Sequence, residues 1–204
     1  MAEKTRTATG IEFHVLGFDT GKGMPPAVDY RDLPEVFQEG DFPMDVNLLN
    51  RALPAFAKLV IGDIEDTIPA FLSTANADAP IGFVAIDVDY YSSAAKALRI
   101  LTAEPNRYLP IAPVYLDDIG VDGSNPWTGE LLAVDEFNRD NRFRKIAPFT
   151  LLRSRRIFKN TQWIDRMFAA HIHDHALRSP TVRRPEKYVL PNEYIGLGGE
   201  RAES

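Results

Sequence analysis

The stretch IDVDYYSS at 86–93, followed about 30 residues later by YLDDI at 115–119, decides how this chain is read. In both, an apolar run stops on paired acids, and the separation is the length of one βαβ unit. Working outward, the same pattern recurs. FHVLGFD ends at Asp19, KLVIGD at Asp63, GFVAID at Asp87 and PVYLDD at Asp117–Asp118. Short continuous apolar runs read as buried parallel strands. An open parallel sheet binds its ligands just outside the carboxyl ends of its strands. One acid per strand end therefore predicts the rim of an active site, because packing alone would not keep the acids at the ends.

Between these runs the chain reads as helices and loops. GFDTGKGMPP at 17–26 forces a loop with its glycines and prolines. Residues 47–53 read as a short helix closed by Pro54, and Thr67 is expected to cap the next, with Pro69 in its first turn. Ala94, Ala97, Leu98 and Leu101 fall on one helical face. Pro113 weakens the strand at 111–116, since it removes a ladder donor. A helix is expected from Thr128 and a further strand within 144–153. The spacing of Ile164, Met167, Phe168 and His171 predicts a last helix. The alternation implies an α/β fold with a mainly parallel, Rossmann-like sheet flanked by helices. One domain over 1–195 and a mobile tail over 196–204 are expected.

Composition narrows the function. The net charge of −6 argues against nonspecific nucleic-acid binding, which needs basic surface. The absence of cysteine excludes disulfides, thiolate metal sites and cysteine nucleophiles. No apolar stretch approaches the roughly 20 residues of a membrane span, and MAEKTRTATG has no apolar signal core. A cytoplasmic location, no membrane partner and a small-molecule substrate are expected, with homo-oligomerisation left open.

Asp87 from one strand end and Asp117 and Asp118 from the next offer hard oxygen ligands that suit Mg²⁺ better than zinc. Adjacent strands lie about 4.8 Å apart, so these carboxylates reach one ion. The bland alternative is that the paired acids cap a turn. Asp19 is either a ribose acceptor or a turn residue before Thr20-Gly21. Asp63, after Gly62, lies by an adenine or caps the following helix.

The succession GFDTGKGMPP, GDIEDTIPAFL, IDVDYYSSAAKAL, YLDDI and GELLAVDEFN resembles the macrocin O-methyltransferase group over about residues 12–140. These are class I S-adenosylmethionine-dependent enzymes that methylate hydroxyls, often on sugars of natural products. The resemblance implies that Asp19 holds the cofactor ribose, that Gly62 and Asp63 lie by its adenine, and that Asp87 borders the cofactor as well as the metal. It also implies a divalent ion, Mg²⁺, among Asp87, Asp117 and Asp118. That ion would lower the pKa of an acceptor hydroxyl, with Asp118 or Asp89 as the base.

One departure matters. The family's glycine-rich loop after its first strand has no counterpart, since only 11 residues precede the strand expected at 12–18. The expectation is therefore an N-terminally truncated sheet that starts at the family's second strand. An upstream segment of about 50–70 residues would carry the missing strand, loop and helix. The rival is a degenerate fold with a binding or structural role. Metal-dependent phosphatases and glycosyltransferases also use D-x-D. The former need further phosphate-binding elements that the interval between the acid pairs leaves no room for, and the latter do not predict GFD or the later DD. In HIHDH at 171–175, helical spacing puts His171 and His175 on one face, and a structural role is preferred over zinc. The basic cluster Arg139, Arg142, Arg144, Lys145, Arg153, Arg155 and Arg156 reads as a solvated face, with a site for an acidic substrate as the alternative, and Trp127 and Trp163 as core, with the lining of a sugar pocket as the alternative.

Overall fold

The computed structural model describes residues 2–74, 79–120, 123–157 and 160–182, so the expected tail lies outside the described residues. A helix α1 (Ala2–Thr9) stops at Gly10, whose φ of 66° lies in the left-handed region. Strand β1 (Val15–Asp19) then pairs in parallel with β2 (Ala57–Ile61), Val15 opposite Ala57 and Asp19 opposite Ile61. The connection between them holds α2 (Val46–Ala52), whose first turn is capped by Asp45 accepting from Leu48 N at 2.8 Å.

After β2 comes α3 (Ile64–Thr74), which starts earlier than the sequence suggests. Asp63, not Thr67, is the capping side chain, accepting from Glu65 N at 2.8 Å. Thr67 lies inside the first turn and bonds back to the Asp63 carbonyl. Next are β3 (Val84–Ile86) and α4 (Tyr91–Ala97), which runs on as a 3₁₀ turn over Leu98–Leu101. Ala94, Ala97, Leu98 and Leu101 are all buried, as their spacing predicts. Then follow β4 (Ile111–Leu116), α5 (Gly129–Asp140), β5 (Arg144–Pro148), α6 (Leu151–Arg155) and β6 (Met167–Ile172).

The strands form a two-stranded sheet, β1-β2, and a four-stranded sheet in the order β3-β4-β6-β5. β3 and β4 are parallel, with Ile86 opposite Leu116, while β6 runs antiparallel to both its neighbours. This is an α/β fold in which the acid-tipped strands are the parallel ones. Among the described residues no ladder joins β1 to β3. The smaller sheet reaches the core instead through Phe18, which packs edge-on against Phe71 of α3.

The expected C-terminal helix is a strand. Ile164 sits in a 3₁₀ turn, and Met167, Phe168 and His171 belong to β6. Phe168, Ala169, Ala170 and Ile172 are all buried, so consecutive residues are covered on both faces. A strand apolar on both faces has no period of 2, and a chance i, i+3, i+4 spacing then imitates a helix. β5 matches the strand expected within 144–153 but ends at Pro148, before α6 begins. Pro113 is tolerated inside β4 because the β3–β4 ladder begins only opposite Val114.

The core lies between this sheet and helices α3, α4 and α5, with Ile86, Val114, Leu116, Ala133, Phe137 and Ile172 at its centre. Tyr108 is fully buried there. Its hydroxyl donates to Ile100 O at 2.8 Å and accepts from Ala103 N at 2.7 Å. Each large buried apolar side chain contributes about 1.5–3 kcal/mol. No helix among the described residues is long and apolar enough to cross a membrane.

Candidate metal centre

The parallel pairing of β3 with β4 brings the two acid pairs together. Asp117 N donates to Ile86 O at 3.1 Å, so the ladder runs to the last residue of β3 and sets the acids side by side. Asp87, Asp117 and Asp118 each present a carboxylate oxygen within 4.8 Å of the others, Asp87 exposed and the other two half-buried. Past Asp87 the backbone turns at Asp89, whose φ is 55°. Asp tolerates this left-handed conformation better than most residues. It aims the Asp89 N–H at Asp118 Oδ2, 3.0 Å away.

Electrostatics mark the cluster. Partial burial and the neighbouring Asp118 and Asp117 charges push Asp87 above the usual carboxylate range. Burial and the Asp118 carboxylate lift Asp89 to about 7. Asp118 is also raised, chiefly by burial, against the lowering effect of the Asp89 N–H. Asp117 is partly neutralised by a cation of the protein itself. Arg166 Nη1 lies 2.5 Å from its Oδ1, and the Tyr115 hydroxyl donates to the same oxygen at 2.7 Å. Three converging hard carboxylate oxygens fit a divalent ion such as Mg²⁺.

Two residues that sequence reasoning missed frame this centre. Glu130, in the first turn of α5, is 2% exposed, and its Oε2 accepts from Asp118 N at 3.2 Å. Burial and the nearby Asp118 charge raise it to about 8. Asp32 is 1% exposed and accepts from Val28 N, Ser92 N and Ser92 Oγ. It thereby fastens the loop after β1 onto the start of α4. Phe37 of the same loop packs edge-on against Tyr90. Tyr91 donates to Glu136 at 2.5 Å beneath the Arg31 guanidinium. Leu33, Asp89, Asp118, Thr128 and Glu130 line a cavity of about 10 Å³, room for about one water. No local pattern flags Glu130 or Asp32. Only their burial, invisible in one sequence, does so.

The other expected site residues have local roles. Asp19 Oδ1 accepts from Gly21 N at 2.5 Å, the turn that Thr20-Gly21 suggests. Asp63 caps α3 and lies 3.9 Å from Lys96. Gly62 has φ 149°, and a Cβ there would come within 2.8 Å of Thr67 Cγ2, so the backbone itself requires glycine. His171 of β6 stacks at 5.8 Å on the ring of His173, just past the strand's end, which replaces the i, i+4 pairing of His171 with His175. Burial and Arg178 lower the His171 pKa. His175 instead caps the turn at Leu177. Among the described residues only the three aspartates form a metal-sized group. Trp127 is 71% exposed, not core. Arg144 departs from the solvated face, being buried and paired with Asp174.

No protein-family model and no curated protein matches the chain. Among solved structures it is similar to the calicheamicin methyltransferase CalS11, at 22% identity and a TM-score of 0.48, over 61% of this chain and 52% of that one. It is also similar to apo CalS11, described as a TDP-rhamnose 3'-O-methyltransferase of calicheamicin biosynthesis. There the identity is 24% and the TM-score 0.36, over 61% of this chain and 50% of that one. The chain thus spans about half the length of these neighbours. Likenesses this slight assign no activity.

Proposed function

We propose that this chain carries the metal and acceptor half of a Mg²⁺-assisted, S-adenosylmethionine-dependent O-methyltransferase acting on a hydroxyl of a small molecule or sugar-containing metabolite. The observation that supports it most is the convergence of Asp87, Asp117 and Asp118 at the ends of two adjacent parallel strands. When bound, the ion would neutralise charge developing on the acceptor oxygen, and the cofactor would supply the methyl group. The chain's own residues bind and orient. Asp87, Asp117 and Asp118 hold the ion, and Arg166 and Tyr115 fix the rotamer of Asp117. Asp89, with a pKa near 7, is matched to accept the hydroxyl proton near neutral pH. Asp19, Gly62 and Asp63 are assigned to the ribose and adenine side of the cofactor, and Asp118 is the second candidate base.

A second reading, a degenerate fold that binds without catalysing, is favoured by the outer edges of β1 and β3, which are unpaired among the described residues. A thermal-shift titration tests the metal on which the first reading depends. Mg²⁺ or Mn²⁺ should raise the melting temperature by mass action, and Asp87→Asn should abolish the rise. Equal shifts in the two proteins would remove the metal, and with it the catalytic reading.

A further inference from the structure

The geometry points to Glu130 as a positioning residue, whose buried carboxylate spans the loops after β3 and β4 and so sets the spacing of Asp87, Asp117 and Asp118. Its consequence for metal binding rests on the reading above, whereas its contacts stand on their own. Glu130 Oε2 accepts from Asp118 N at 3.2 Å, and the N–H of Val88, the residue between Asp87 and Asp89, faces the same carboxyl group. One side chain therefore faces a backbone N–H from each acid-bearing loop and is hydrogen-bonded to that of Asp118. Fixing those two peptide planes fixes the directions in which the neighbouring aspartate side chains leave the backbone.

The start of α5 is built to reach that place. Gly129 has φ 54°, and a Cβ there would stand 3.4 Å from the Asp89 carbonyl oxygen, so the helix begins directly against the β3 loop. The two loops are also tied to each other by the Asp89 N–H on Asp118. An acid in a first helical turn commonly serves the helix dipole. That service works from an exposed position and does not require a side chain 2% exposed. Nor is burial explained by packing, because Glu130 Oε1 has no hydrogen-bond partner and a leucine would fill the space at no desolvation cost. What the buried carboxyl group does is accept from the Asp118 amide and face that of Val88.

The test combines amide hydrogen exchange at Val88 and Asp118 with the dissociation constant for Mn²⁺, in wild type, Glu130→Gln, Glu130→Asp and Glu130→Ala. Glutamine keeps an acceptor at full reach, so it should leave both amides protected and Mn²⁺ affinity within about threefold. Aspartate keeps a carboxyl group at the helix start but falls one methylene short, and alanine loses both. Each should speed exchange at those two amides selectively and weaken Mn²⁺ about tenfold or more, the scale of a lost outer-shell partner. If the alanine variant does not fold, the aspartate variant carries the comparison. Unchanged exchange at Val88 and Asp118 in Glu130→Asp would overturn the inference, as would Glu130→Gln behaving like Glu130→Ala. A wild type that binds no Mn²⁺ removes the metal reading instead, and the amide exchange then still decides the role of Glu130.

Discussion

Asp87 carries two opposed effects that one substitution separates. Its raised pKa means that, without a cation, its charge is opposed by partial burial and by Asp118 and Asp117. Asp87→Asn removes that repulsion and should raise the metal-free melting temperature by about 1–3 °C, while removing the Mg²⁺-dependent rise. General destabilisation cannot produce that pair of signs. Asp89 near 7 and Glu130 near 8 lie above their ordinary values of 3.8 and 4.5. Their neutral forms are favoured in the folded state, so the stability they contribute is complete below about pH 4 and lost as pH rises through 7 to 8. Calorimetry in chelator should show the melting temperature falling from pH 5 to pH 9. Asp89→Asn and Glu130→Gln should each flatten the fall, and a flat wild-type profile would contradict these assignments. D-x-D and DD were legible in sequence because each sits at the end of its own apolar run. Glu130 and Asp32 were not, because the amides that bring them to the site, Asp118 N and Ser92 N, lie 12 and 60 residues away.

At the scale of elements, the strands that end in acids could be read directly, and their parallel pairing follows from the helices between them. The C-terminal segment could not, since burial on both faces erases the period that distinguishes strand from helix. The loop after β1 shows no period at all, yet Asp32 makes it part of the site wall. Asp32→Ala leaves Val28 N and Ser92 N without their acceptor, and a buried donor so abandoned costs about 1–3 kcal/mol. A fall of several degrees in melting temperature is expected, roughly 2–4 °C per kcal/mol at this size. Exchange should also quicken over residues 28–41 and at the start of α4, but not in β6. Uniform quickening across the molecule would show that the loop is not a separately fastened piece.

Across the whole molecule the parallel strands fall into two sheets, and the outer edges of β1 and β3 are unpaired among the described residues. Under the methyltransferase reading, the cofactor's methionine end needs a strand and glycine-rich turn between those edges. Residues 1–204 alone should therefore bind S-adenosylmethionine in the high-micromolar range or more weakly by isothermal titration. An N-terminal extension supplying such a strand should tighten binding, whereas tight binding by residues 1–204 alone would place the cofactor elsewhere. The two ends of the larger sheet also differ in character. β5 carries Arg144 and Lys145 and stops on Pro148, which deters a visiting strand. β3 offers Val84, Ala85 and Ile86 with no charge, next to a Phe83 that is 56% exposed. Self-association along such a sheet is one-sided. Two copies that met along β3 would turn only the guarded β5 ends of the larger sheet outward, so light scattering of a concentrated stock is expected to show dimers in preference to fibrils.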